Sequence, residues 1–328
     1  MKIGKVPEAV LKRSVLNQIH TCRQEVLLGA SVGEDCAAVA VAEDEMLVMS
    51  TDPITGTVKD IGDLAIQITV NDLASAGAEP VGVMLTVLLP ERLSEQKLRH
   101  MMEQAEAACA KVHVQIMGGH TEVTKAVNQP LISVVGVGKA KKGKLISTAG
   151  ARAGMDIIMT KWIGLEGTAI LAKEKEAELL THFTPVFLEQ AKAFDQMLSV
   201  LPEAAVAVRH HVAAMHDVTE GGIFGALWEM AEASGVGLEI DLRKIPVRQE
   251  TVEICEYFEI NPYELISSGC MLMAAADGNT IVRELEKEGI HAVVTGKAVE
   301  GNDRILYTAQ ERRFLEPPKP DALYQVIR

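Results

Sequence analysis

Val6, Val10, Leu11, Val15 and Ile19 recur at helical spacing and predict an amphipathic helix at the start of the chain. Two short runs follow, Cys36 to Val41 and Met46 to Ser50, split by the polar Glu43-Asp44-Glu45; they predict two strands and a turn. Residues 60–77 predict a helix closed by Gly77, a residue suited to a C-cap. The apolar run Val81 to Leu89, stopped by Pro90, predicts a strand, and Ser94 caps a helix reaching about Lys111. Val112 to Met117 and Leu131 to Val137 predict two more strands. Residues 139–155 then turn lysine- and glycine-rich, which sets the expected domains at 1–145 and 146–328. The second half predicts strands at Asp156 to Thr160, Gly237 to Asp241, Cys270 to Ala275, His291 to Thr295 and Arg304 to Tyr307. Helices are predicted from about Gly167 and over 185–199, 203–211, 220–234 and 278–288. Strands mixed with helices in both halves indicate an α/β or α+β protein. The tail EPPKPDALYQVIR, punctuated by proline, is expected to lie extended on the surface.

Composition narrows the function. The 328 residues suit two domains, and 48% apolar content suffices for two cores. Only 4% are aromatic, so those cores are built from aliphatic side chains and methionine. Forty-five acids against 32 bases leave a net charge of −13, which argues against a nucleic-acid partner. Nucleotides stay open, because divalent cations bridge carboxylates to phosphates. The start MKIGKVPEAVLKRSVL lacks the apolar core of a signal peptide, and no run approaches the ~20 apolar residues of a membrane span. A cytoplasmic location away from membranes is therefore expected. Five scattered cysteines without a CxxC pair indicate neither a zinc knuckle nor a disulfide framework.

The candidate chemistry lies in acids and glycines near element ends. Asp35 precedes the strand at Cys36, Asp52 leaves the strand at Met46, Asp72 falls in the helix over 60–77, and Glu122 follows the strand ending at Met117. Hard cations such as Mg²⁺ want such oxygens; the plainer alternative is that each acid is a solvated charge or a cap. Asp72 sits among Ile66, Ile68, Val70 and Leu73, where a bare charge is costly unless paired or metal-bound. Gly118-Gly119 lets backbone approach a ligand. Gly221-Gly222 opens a helix, where free N–H groups favour phosphate, although a tight turn explains the pair as well. The turn from Lys161 to Gly167 again joins a strand to a helix. Neither a P-loop nor a dinucleotide-binding glycine motif is present. His120 and His216 are candidate proton carriers by residue type and location. His210, His211 and His216 do not form a persuasive metal set, and Cys36 has no evident base.

In order, these motifs resemble one superfamily, that of aminoimidazole-ribonucleotide (AIR) synthetase and the hydrogenase-maturation protein HypE, the PurM/HypE type. GEDCAA resembles the GDDAA loop of thiamine-monophosphate kinases and HypE, and STDPI resembles their TD strand end. GDLAIQITVNDLASAGAEPVGVMLTVLLPE resembles the VNDLA-MGA-P signature of HypE. MGGHTEVT stands where relatives carry GGDT or GGET, and HDVTEGGI resembles HDVSDGG and DPTRGG. The resemblance spans about residues 30–300 and is closest to HypE-like, AIR synthase-related proteins. It implies a PurM-like two-domain fold, with an N-terminal domain completing a β-barrel across a homodimer and a C-terminal α/β sandwich. It implies ATP and Mg²⁺ as cofactors. By position, Asp35, Asp52 and Asp72 become candidate metal ligands, with Glu122 in reserve. Asn71, Gly118, Gly119 and Thr121 would line the nucleotide; Asp217, with Gly221 and Gly222, would close the phosphate end, and Lys161 and Thr219 belong to the same candidate set. His120, His216 and Asp217 are the candidate catalytic residues.

Two departures bear on function. His120 takes the place of an acid, and a neutral imidazole cannot replace that charge towards Mg²⁺. HypE proteins end in a cysteine that carries their modified thiol; here the last cysteine is Cys270, so self-modification of that kind is not expected. The expectation is a Mg²⁺-dependent ATP-using enzyme that activates an unknown small-molecule or peptide acceptor through the γ-phosphate. A non-catalytic nucleotide-binding maturation or regulatory dimer is one alternative, and a thiamine-monophosphate-kinase-like enzyme is another.

Overall fold

The computed structural model describes residues 1–34, 36–54 and 59–327. The chain divides into two compact units, Met1–Ala74 with Ala78–Leu145, and Ser75–Gly77 with Ile146–Arg328.

The first unit contains β1 (Gly4–Lys5), α1 (Glu8–Ser14), β2 (Val26–Leu28), β3 (Ala38–Val39), β4 (Glu45–Ile54), α2 (Ile61–Ser75), β5 (Glu79–Leu89), α3 (Glu95–Val112), β6 (Gln115–Val123) and β7 (Leu131–Lys141). Its five-stranded sheet has the order β1-β6-β5-β7-β4, while β2 and β3 form a separate ribbon. Only β5 and β6 run parallel; the other neighbours are antiparallel. Successive strand residues point to opposite faces. On β4, Met46 and Val48 therefore pack with Leu73 of α2, while Leu47 and Met49 point away and are 46% and 62% exposed. Gly136 on β7 admits α2, because a Cβ there would lie 2.5 Å from the Thr69 methyl. The expected first helix is shorter than its apolar spacing suggests. Val15 leaves helical geometry at φ −120°, ψ −69°, and a 3₁₀ turn at Leu16–Gln18 follows.

β6 is the main correction in this unit. The glycines at 118 and 119 read as the end of a strand, yet β6 runs on through Val123. A register shift between Val83 and Met84 of β5 lets the pair stay inside the sheet. Gly119, at φ +143°, is required there, since a Cβ would sit 2.0 Å from the Leu85 carbonyl oxygen.

The second unit contains β8 (Asp156–Thr160), α4 (Leu165–Glu174), α5 (Glu176–Leu179), α6 (Pro185–Lys192), α7 (Leu201–Arg209), β9 (Ala214–Val218), α8 (Gly222–Ser234), β10 (Gly237–Asp241), α9 (Gln249–Tyr257), β11 (Cys270–Ala275), α10 (Gly278–Lys287), β12 (Ala292–Val299), β13 (Arg304–Tyr307) and β14 (Arg312–Phe314). Its sheet has the order β14-β13-β10-β12-β8-β11-β9. α8 buries Ile223, Leu227 and Met230 against Ile157, Met159 and Leu272 on one face. α10 covers the opposite face, where Gly278 abuts Asp156 and Val294. A second core joins α4, α6 and α9, and the chain's last residues enter it. The tail is thus not an extended surface segment throughout. Ala322 and Leu323 are buried, and Val326 and Ile327 pack beside them, because the apolar residues after Asp321 recur at helical spacing.

Candidate functional site

Two groups of candidate residues form in the first unit. On α2, Asp72 accepts a hydrogen bond from the Ser50 hydroxyl of β4. Asp52 lies two residues farther along β4, on the same helix-facing side and half-buried. Asn71, beside Asp72, is almost wholly buried. The fold therefore draws Asp52 and Asp72 to one seam between strand and helix. Asp35, the third expected ligand, lies outside the described residues.

The second group walls a cavity of about 370 Å³. Leu11, Val15, Ile19, Met84 and Ile116 supply its apolar lining, and Gly118, Gly119, His120 and Thr121 form the β6 side with Glu34 nearby. That size is within the range of small-molecule sites. Gly118 differs from Gly119. A Cβ at Gly118 would meet only the Met84 methyl, at 3.4 Å, so packing does not demand glycine there. His120 Nε2 lies 3.2 Å from Glu122 Oε2, a pairing that orients the imidazole at the cavity wall.

His120 and Glu122 stand apart from the acids within one chain, although Gly119 and Thr121 of the cavity wall lie on the acids' side of the sheet. The ladder aligns His120 with Thr86, Thr86 with Ser133, and Ser133 with Pro53; Asp52 pairs instead with Val134 and faces the other way. β6 and β4 are also three strand spacings apart, about 14 Å. Glu122 therefore does not join Asp52 and Asp72 as a metal ligand in the same chain. Among the described residues no three His, Cys, Asp or Glu side chains are grouped to hold a metal ion. The expected convergence of four carboxylates fails because the strand carrying Glu122 continues past the glycines, which sets that side chain by strand parity.

In the second unit several candidates are held by internal partners. Lys161 Nζ donates to the carbonyl oxygens of Met197 and Ser199 at 3.0 and 2.6 Å and pairs with Glu203 at 2.8 Å. Its three donors are spent on the fold, which removes it from the nucleotide-binding set. His216 Nε2 lies 2.8 Å from Glu229 Oε2 on a neighbouring helix, and Asp217 is buried on β9. Gly221 gives its N–H to Asp321 Oδ2 at 2.7 Å, and Gly222 gives its own to the Thr219 carbonyl at 3.0 Å. Gly222, at φ +61°, is also needed for packing, since a Cβ would lie 2.6 Å from the Tyr263 carbonyl oxygen. The expected phosphate cradle is therefore a tight turn capped by the chain's own carboxylate. His210 stands 3.8 Å from Glu284.

Three residues escaped the sequence reading. Ser50 carried no signal beyond its place before Thr51 and Asp52. Asp321 had one, since an aspartate ahead of Leu323, Val326 and Ile327 marks a helical turn with its cap. Glu166, in the first turn of α4, is buried, and desolvation followed by the charges of Asp321 and Asp217 pushes its pKa up to about 7.

Comparison with known proteins agrees with this architecture. The family model for the AIR synthase related protein N-terminal domain matches residues 33–140, and that for the C-terminal domain matches residues 152–308. A hydrogenase expression/formation protein of Methanocaldococcus jannaschii is 29% identical over 98% of this chain and 97% of its own length. Carbamoyl dehydratase HypE of Cupriavidus necator is 31% identical over 76% of this chain and 72% of its own. The crystal structure of hydrogenase maturation protein HypE in complex with ATP superposes with a TM-score of 0.80 at 20% identity, covering 98% of this chain and 97% of that one. In sequence and in fold, the chain belongs to the AIR synthase related protein family.

Proposed function

We propose that the chain is a HypE-type, ATP-dependent enzyme that uses Mg²⁺-bound ATP to activate an oxygen of a small-molecule or peptide acceptor in hydrogenase maturation. The observation that carries this reading is the near full-length similarity to hydrogenase-maturation proteins, joined to a ligand-sized cavity walled by Gly118, Gly119, His120 and Thr121. Mg²⁺ is commonly held by one or two carboxylates, with phosphate oxygens and water filling its remaining positions. Asp52 and Asp72 fit that donor set, and the bound ion would offset charge that develops on the transferred phosphoryl group. Gly118 leaves room for the nucleotide. His120, oriented by Glu122, accepts the acceptor's proton, a role typically worth about 10²–10⁴ in rate.

The acids and the His120 side chain lie on opposite faces of one sheet and three strands apart, so a homodimer is part of the proposal. The open face of that sheet, with Leu47 and Met49 exposed, gives a second copy an apolar surface to cover. The reading is tested by thermal stabilisation with Mg-ATP and by ADP release. The parent chain is expected to be stabilised, Asp72→Asn to lose the stabilisation, and His120→Gln to keep it while losing turnover. Co-expressing Asp72→Asn with Gly118→Trp addresses the shared site: recovery of ADP release in mixed dimers supports a composite arrangement. Absence of any Mg-ATP stabilisation in the parent chain would overturn the reading.

A further inference from the structure

Aromatic side chains make up only 4% of the chain, and in the second unit several already carry a cation from the same chain. Arg248 lies 5.0 Å from the Trp162 ring and 5.8 Å from Phe194; Arg304 lies 3.9 Å from Trp228, and Arg313 5.8 Å from Phe224. One group differs. Where the α5–α6 turn meets the end of α9, His182, Phe183, Phe187, Tyr257 and Phe258 form a run of ring contacts with centroids 4.7 to 5.9 Å apart. Among the described residues no arginine lies over these five rings.

The rings rest on the core of α4, α6 and α9 and stay partly open to solvent. Leu180 and Val186 flank Phe183 in sequence and are 43% and 69% exposed. The surroundings are acidic. Glu253 and Glu256 share α9 with Tyr257, Glu259 follows Phe258, and Glu178 lies on α5 just ahead of Leu180. Of the nearby lysines, Lys173 pairs with Asp195 and Lys192 with Glu176 and Glu189, while Lys175 stands at the start of α5. Ring faces attract cations, and partial burial strengthens that attraction. Carboxylates at a rim raise the encounter rate with a positive partner and set its register.

We infer that this aromatic patch with its acidic rim is a docking surface for a basic segment of a partner protein, one that combines arginine or lysine with apolar residues. A guanidinium or ammonium group lies over the Phe183 and Tyr257 faces. Its neighbours meet Glu178, Glu256 and Glu259, and apolar anchors cover Leu180 and Val186. The surface is independent of the ATP-dependent activity proposed above.

The test is fluorescence anisotropy of a labelled peptide of alternating arginine and leucine, titrated with the full chain. The double reversal Glu178→Lys with Glu256→Lys is compared with Glu300→Lys and Asp303→Lys, an equal charge change at the exposed β12–β13 turn. The patch reversal is expected to weaken binding about tenfold, the size of one cation–π contact with a rim ion pair, and the control less than about twofold. Val186→Ser is expected to leave the melting temperature unchanged and to lower affinity about threefold, as loss of an apolar anchor would. Equal weakening by both reversals would mean that net charge alone attracts the peptide and would overturn the proposal, as would no binding. Self-association that the patch reversal abolishes, with peptide binding unaffected, would make a second copy the occupant and overturn it too.

Discussion

Glu166 carries a carboxyl that the folded chain shields from water. Its pKa rises from 4.5 to about 7 through burial, with Asp321 and Asp217 adding to the effect. Between those pH values the folded chain holds a proton that the unfolded chain has released. Stability therefore falls as pH rises from 4.5 towards 7 and levels off above, by roughly 3 kcal/mol from this group. Glu166→Gln keeps the shape and removes the titration. Urea unfolding between pH 5 and pH 8.5 is expected to give a flatter profile for the variant and greater stability than the parent at the alkaline end. Parallel profiles would assign the slope to other groups. At this scale the sequence exposed residue types and order but not burial. Asp72 was singled out because apolar neighbours surround it, and Ser50 indeed engages it. Lys161 was misjudged because nothing in its glycine-rich turn reveals that Glu203, some forty residues on, is a buried partner.

Among the elements, β6 shows how two adjacent glycines serve different ends. Gly119 is held at φ +143° against the Leu85 carbonyl, while a side chain at Gly118 would make only an ordinary contact with the Met84 methyl. Gly119→Ala is expected to lose about 3 kcal/mol or more in urea unfolding, from backbone strain and overpacking together. Gly118→Ala is expected to stay within about 1 kcal/mol of the parent yet to weaken Mg-ATP stabilisation. Similar losses in both would mean that Gly118 is a packing residue. Long apolar runs made β5 and α2 legible, and the Ser94 cap made α3 so. β9 was missed because His216 and Asp217 interrupt its apolar pattern, and α9 because Gln249, Glu250, Glu253 and Glu256 hide a short buried stripe at Ile254 and Cys255. The continuation of β6 was missed because a glycine pair usually marks a turn, and only the shifted register with β5 keeps this one in the sheet.

Across the whole molecule, the fold class and family were legible because motifs spread over about residues 30–300 keep their order, and order is a property of the entire chain. The dimer expectation belongs to this scale as well. Met49→Asp, on the open face of β4, is expected to shift the chain from dimer to monomer in light scattering while leaving circular dichroism unchanged. A parent chain that is already monomeric at micromolar concentration would remove the dimer from the proposal. The ion pairs of Arg23 with Glu79 and of Lys139 with Glu25 join parts of the first unit far apart in sequence, and no local pattern announces them.

Asp321 is a ligand that the chain delivers to itself. Its carboxylate reaches the α8 turn on a short tether anchored by Ala322 and Leu323, so its effective concentration there is of millimolar order or above. A dissolved phosphate or sulfate has to outcompete that resident anion before it can use the Gly221 N–H. Replacing Asp321 with alanine is expected to turn an occupied turn into an anion receptor, visible as a sulfate-dependent rise in melting temperature that the parent lacks.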